Sequence, residues 1–273
     1  MAHEQSFVVT GSASGIGKYI TRGLVKAGHR VLATDINLEG LRTVAQAGGW
    51  ASERVRLRAL DVRDVDAWNA TFEEAVSAFG GVDVLMNIAG YMRTGHAVEM
   101  PPEEIHRHFD INVKGVIFGT QTAARHMIAR RHGHIVNISS MSALAPIPGI
   151  AVYSASKHAV RAFSIAMAYE LRETGVDISV VLPDAVETPM TDKVRGDDAA
   201  AVVFSGNLLT VEEIGDLILG RVLAQRPLEL AHPPSRGWLA RIANLFPHLS
   251  FSMSPMMERR GMKHLEQLRR EKR

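Results

Sequence analysis

The chain has 273 residues, 46% apolar and 22% charged, a composition that excludes wholesale disorder and supplies a sizeable core. It has no cysteine, so disulfides, thiolate-held metals and thiol nucleophiles are excluded. Its net charge of +2 hides an asymmetry: residues 236–273 hold nine Lys/Arg and three Asp/Glu, while the body is net negative and offers no basic surface for reading nucleic acid.

The start, MAHEQSFVVTG, lacks the pattern of a secretory signal. The longest stretch free of Lys, Arg, Asp and Glu, His132–Ser156, holds five serines and two prolines, which suits a loop-rich site better than a membrane span. A cytoplasmic protein is the expectation. In chain order, short β-branched runs alternate with helical patterns. Strands are expected at Phe7–Thr10, Val31–Thr34, Val55–Leu60, Val82–Met86, Ile135–Ile138 and Ile178–Leu182, with a short one at Leu228–Ala231. Helices are expected at 15–27, 38–47, 64–79, 103–131, 151–174 and 211–224. Such alternation predicts an α/β fold, one doubly wound parallel sheet with helices on both faces. Residues 184–208, with Pro189, Gly196, Asp197, Asp198 and Gly206, read as a mobile loop over a substrate. Residues 1–235 are expected to form one catalytic domain, and 236–273 a helical C-terminal extension.

Thr10-Gly11-Ser12-Ala13-Ser14-Gly15-Ile16-Gly17 joins the first strand to the first helix. Gly11 permits a tight turn, Gly15 clears space for a pyrophosphate, and Gly17 lets helix and strand approach. Free N–H groups at the helix start would face the phosphates. On the glycines alone, a plain strand-to-helix turn fits as well. Asp35, ending the second strand, adds a carboxylate that can accept both adenosine ribose hydroxyls and repel a 2′-phosphate, which favours NAD over NADP. A helix cap before Leu38 is the bland alternative. Asp61-Val62 and Asn87-Ile88-Ala89-Gly90 end the next two strands, on the side where such sheets bind ligands.

Tyr153 and Lys157 are spaced to share a helix face, where an ammonium can stabilise a phenolate. Ser140, after the fifth strand, offers a hydroxyl to a substrate oxygen. With these residues in place, the sequence resembles the short-chain dehydrogenase/reductase family over about residues 5–190. The resemblance implies a Rossmann-type fold and a homo-dimer or homo-tetramer. It implies an NAD site lined by Gly11, Ser12, Ser14, Gly15, Ile16, Gly17, Asp35, Asp61, Val62, Asn87, Ala89, Gly90, Tyr153, Lys157, Pro183, Val186 and Thr188. It implies Tyr153 as general acid/base, Lys157 as the group that holds the nicotinamide ribose and lowers the tyrosine pKa, Ser140 as the residue that positions the reacting oxygen, and Asn112 as the anchor of a water leading from Lys157 to solvent. Read alone, Asn112 is a polar residue in a long helix. The family generally has Gly where this chain has Asp184, whose carboxylate is expected to face solvent, or else to sit near the nicotinamide and favour its oxidised form.

In the extension, Trp238–Phe246 shows apolar residues at helical spacing, 252–257 is methionine-rich, and Glu258–Arg273 reads as a charged helix. A cap packed on the body or a partner subunit is one reading; peripheral membrane contact is the other. The twelve histidines include no metal-binding motif, and no metal is expected. The expected function is NAD-dependent interconversion of a hydrophobic secondary alcohol, of a steroid-, retinoid- or lipid-like kind, and its ketone, with Met92, Leu144, Pro146, Ile147 and Met190 near the substrate. The alternative is a catalytically weak NAD-binding sensor or scaffold, for which Asp184 and the tail are the motive.

Overall fold

A computed structural model describes residues 4–50 and 53–271. The chain runs β1 (Ser6–Thr10), α1 (Gly15–Lys26), β2 (Arg30–Asp35), α2 (Leu38–Ala47), β3 (Val55–Ala59), α3 (Val65–Phe79) and β4 (Val84–Asn87). It continues through α4 (Pro102–His108), α5 (Gly115–Arg130), β5 (Gly133–Ile138), α6 (Ala151–Glu170), β6 (Val176–Pro183), α7 (Pro189–Val194), α8 (Val211–Leu217) and α9 (Leu223–Gln225). The last elements are β7 (Glu229–His232), α10 (Pro234–Leu245) and α11 (Pro247–Glu271).

The seven strands form one parallel sheet in the order β3-β2-β1-β4-β5-β6-β7. Alternation along β1 sends Phe7 and Val9 into one core layer, with Ile20 and Leu24 of α1, Leu41 of α2 and Ile214 of α8. Val8 points the other way, to Trp68 and Phe72 of α3 and Ala123 and Met127 of α5. Strands buried on both faces explain the near-continuous apolar runs. The strand order reverses between β1 and β4, so a crevice opens at their carboxyl ends.

Three expectations are corrected. The helix expected over 103–131 is not continuous: between α4 and α5 the backbone makes a π-helical segment, Phe109–Lys114. Residues 184–208 are not a free loop. They form α7 and a 3-10 segment, Asp198–Phe204, in which Ala200–Phe204 are buried. The last half of α11 covers that segment: Leu265 packs with Val203 and Phe204, and a Cβ on Gly261 would stand 2.0 Å from the Ala201 carbonyl oxygen. The methionine-rich stretch and the charged stretch belong to one helix, α11, whose expected end at 272–273 lies outside the described residues.

Candidate active site

A cleft of about 590 Å³ opens at the carboxyl ends of β1, β2, β4, β5 and β6. Its first wall is the Gly11–Gly17 turn. Gly11 has φ +72°, and a Cβ there would meet the Ala89 backbone at 3.1 Å. At Gly17 a Cβ would lie 2.2 Å from the Gly11 carbonyl oxygen, so only glycine lets α1 start this close to the turn. No side chain caps the amino end of α1, and its first turn holds no acid. By contrast α2, α3, α7 and α8 are capped by Asn37, Asp64, Thr188 and Thr210. An uncapped, glycine-lined helix start fits a pyrophosphate.

Asp35 lies on this wall, but it is not the cap of α2. Asn37 is, and the Asp35 carboxylate accepts the N–H groups of Ala13 at 3.0 Å and Asn37 at 2.9 Å. Asp61 also reaches the cleft. Arg63 grips its carboxylate, with nitrogens at 2.6 and 2.9 Å, and these hydrogen bonds hold the carboxyl below its usual range. Ser14, Ile16, Val62, Ala89, Gly90, Pro183, Val186 and Thr188 line the cleft as well. Ser12 and Asn87 do not. The Ser12 hydroxyl donates to the Val9 carbonyl and accepts from Thr21, and the Asn87 amide donates to Asn137 and Thr120 behind the sheet.

Tyr153, Lys157 and Ser140 face the same end of the cleft. Lys157, on the first turns of α6, donates from Nζ to the Ile138 carbonyl at 2.9 Å and stands 5.7 Å from the centre of the Tyr153 ring. Ser139 donates to the Lys157 carbonyl at 2.8 Å, which ties α6 to the end of β5. Ser140 acts on the Tyr153 phenol in the lowering direction. Burial pushes the phenol up to about 12 against that pull, and pushes Lys157 down to about 8. Desolvation outweighs the lowering by Ser140.

Asn112 is buried within the π-helical segment and does not line the cleft. Its amide pairs with Tyr91 in both directions, accepting from the Tyr91 N–H at 2.7 Å and donating to its carbonyl at 2.8 Å. It also donates to the Ser156 hydroxyl at 3.0 Å, which in turn donates to the Tyr153 carbonyl at 2.7 Å. Asn112 and Ser156 thus brace the helix turn that carries the phenol. Ser156 escaped the sequence reading, although its place inside the Tyr153–Lys157 turn was a usable signal.

The substrate end is lined by Met92, Met141, Ile147, Ile150, Met190 and Val203, with Arg107 and Lys193 also on the wall. Leu144 and Pro146 are not part of it; Leu144 is packed in a separate core with Val180 and Leu182. Asp184 does not face solvent. The residue lines the cleft, and its carboxylate is ion-paired with Arg236 of α10. The interior histidines are committed elsewhere: His108 bridges the Glu104 carbonyl and the Arg93 N–H, and His134 meets Ser179.

Comparison with known proteins agrees with this geometry. A family model described as short chain dehydrogenase matches residues 5–199. A 3-oxoacyl-(acyl-carrier-protein) reductase of Thermotoga maritima is 34% identical over 78% of this chain and 87% of its own. A 3-alpha-(or 20-beta)-hydroxysteroid dehydrogenase of Mycobacterium bovis is 35% identical over 70% of this chain and 72% of its own. The crystal structure of a short chain dehydrogenase/reductase from Burkholderia phymatum in complex with NAD superposes with a TM-score of 0.81, at 25% identity, over 90% of this chain and 95% of that one.

Proposed function

The chain belongs to the short-chain dehydrogenase family, and from that premise we propose that it is an NAD-dependent oxidoreductase that interconverts a hydrophobic secondary alcohol and its ketone. The observation that carries this reading is the convergence of Tyr153, Ser140 and Lys157 on one apolar-walled end of the cleft. The glycine turn and the open start of α1 would hold the dinucleotide's pyrophosphate, Asp35 its adenosine ribose, Lys157 its nicotinamide ribose, and Val186 and Thr188 its carboxamide. When bound, its nicotinamide ring supplies the hydride chemistry and, in the oxidised form, a positive charge.

Each protein group then has a defined task. Ser140 holds the reacting oxygen by hydrogen bond. Tyr153 moves the proton: its phenolate oxygen takes the alcohol proton during oxidation, and its hydroxyl returns one during reduction. Lys157 supplies positive charge beside the phenol. Burial holds the phenol at about 12, so the positive charge of the oxidised dinucleotide favours proton abstraction when it is bound. Asp35 favours NAD because its carboxylate repels a 2′-phosphate.

Met92, Ile147, Ile150, Met190 and Val203 favour an apolar substrate. A homo-dimer or homo-tetramer built on α5 and α6 is part of the proposal; Ile128 and Tyr169 are exposed there. With Asp184 tied to Arg236, the reading as a catalytically weak NAD-binding sensor or scaffold loses one of its two motives. The test is NADH formation and consumption over a panel of secondary alcohols, 3-oxoacyl thioesters and ketosteroids. Turnover confined to apolar members, with NAD preferred to NADP, is expected; silence across the panel would reject the proposal.

A further inference from the structure

The tail helices turn their large apolar side chains outward. Along α10 the exposed residues are Trp238, Leu239, Ile242, Leu245 and Phe246, spaced as one face of a helix. The buried residues of α10 are small, Gly237 and Ala240, and a Cβ on Gly237 would come within 2.7 Å of Ala231. The amphipathic pattern is therefore inverted relative to a helix that covers its own core. It continues into α11, where Phe251, Met253 and Met256 are exposed before Gly261 and Leu265 turn into the body. Half of the exposed large apolar side chains among the described residues fall within 238–256.

The charge on this surface is net positive: Arg241 is paired with Glu229, and in α11 the exposed Glu258 and Glu266 are outnumbered by Arg259, Arg260, Lys263, Arg269 and Arg270. Residues 237–257 contain a single Arg and no Asp or Glu. Met253, Met256, Arg260, Lys263 and Gln267 follow one another at steps of three and four, so one stripe of α11 passes from apolar to cationic. Arg260, Lys263 and His264 face Ser205 and Asn207 across a small second cleft of about 300 Å³. Arg260 and Lys263 have no acidic partner among the described residues.

We propose that α10 and α11 dock this chain on an anionic lipid bilayer, with the apolar faces at the acyl boundary and Arg260 and Lys263 against headgroup phosphates. A second copy of the chain would bring two net-positive patches together, whereas anionic headgroups supply the opposite charge. Trp238 is suited to the membrane–water boundary, and the neighbouring phenylalanines to the apolar face of an interfacial helix. No helix among the described residues is long and apolar enough to cross a membrane, so the contact is peripheral. Leu265 of α11 packs on Val203, which lines the substrate end of the cleft. If the proposed function holds, docking brings that wall close to the phase where apolar alcohols and ketones collect.

The full chain is tested with vesicles of phosphatidylcholine containing phosphatidylglycerol, and with vesicles of phosphatidylcholine alone. Trp50 and Trp68 are buried whereas Trp238 is 67% exposed, so a blue shift of tryptophan emission on binding reports Trp238. Co-sedimentation with the anionic vesicles alone is expected, weakening as the salt rises from about 0.1 to about 1 M. Joint Arg260→Gln and Lys263→Gln should lower partition about 25-fold. Joint Leu245→Ser and Phe246→Ser should lower it at least about tenfold. Absence of binding, or binding untouched by both pairs, overturns the proposal. So does an oligomer dissociated by the Leu245/Phe246 pair in a protein that ignores vesicles, because the patch then belongs to a second copy. Calorimetric NAD⁺ binding, measured on the same samples, separates failure of docking from failure of the cofactor site.

Discussion

Asp184, at the carboxyl end of β6, is ion-paired with Arg236 of α10. The pair joins the cofactor cleft to the tail, and burial pushes the Asp184 carboxyl up while Arg236 pulls it down. Arg236→Ala leaves a carboxylate that is only 9% exposed without its counter-charge. Because Arg236 itself is 38% exposed, the expected loss is about 2 kcal/mol rather than the full cost of breaking a buried pair. The sign follows from linkage. Below about pH 4 the carboxyl is protonated in both the folded and unfolded chains, and the cost vanishes. Thermal denaturation should show the gap to the unmodified protein widening from pH 4 to pH 8, with Asp184→Asn closing it. A gap independent of pH would mean that Arg236 acts by packing alone.

Lys157 is held at about 8, well below an ordinary lysine, by burial. Keeping it charged at pH 7 therefore costs about 3 kcal/mol. Lys157→Met removes that cost and strands the Ile138 carbonyl, worth about 1 kcal/mol. The variant should be more stable by about 1–2 kcal/mol at pH 7 and inactive. As the folded value is the lower one, the unmodified protein gains stability as pH rises from 8 towards 10, and the advantage should fade there. Chemical denaturation at pH 7 and pH 10 checks this. A variant less stable at both would contradict it.

Asp35 is expected to set the dinucleotide preference. Asp35→Ser with Ile36→Arg should lower the ratio of kcat/KM for NAD over NADP by about 100-fold, since a repelling charge becomes an attracting one. Asp35→Asn, which keeps an acceptor for the Ala13 N–H, should lower it less. Steady-state kinetics with both dinucleotides decides the matter.

The 3-10 segment is clamped from two sides. A Cβ on Gly149 would stand 1.8 Å from the Ala199 carbonyl oxygen, and one on Gly261 would stand 2.0 Å from that of Ala201. Gly261→Val should cost about 1–3 kcal/mol by overpacking and speed proteolysis within 198–204. Unchanged cleavage would show that α11 does not restrain this wall.

The βαβ order and the glycine turn were legible because both depend on local pattern: β-branched runs mark buried strands, and Gly11 and Gly17 sit where backbone meets backbone. What escaped depends on distant partners. Asp198–Phe204 reads as a loop because the helix that buries it comes some sixty residues later. Asp184 reads as solvent-facing because Arg236 lies beyond β7. The π-helical segment at Asn112 was hidden within an unbroken helical pattern, and its cause is tertiary: the Asn112 amide is matched to the Tyr91 backbone. Leu144 was misplaced because an apolar residue near a site can serve the core or the pocket, and periodicity does not tell them apart.

The central claim is that Tyr153 transfers the proton while the rest of the cleft binds. Tyr153→Phe removes one hydroxyl and keeps the ring that packs beside Met92 and Ile147. NADH formation from an accepted alcohol, measured beside calorimetric NAD⁺ binding, should fall by at least about 1,000-fold with affinity nearly unchanged. Turnover within a few-fold of the unmodified protein would contradict the account.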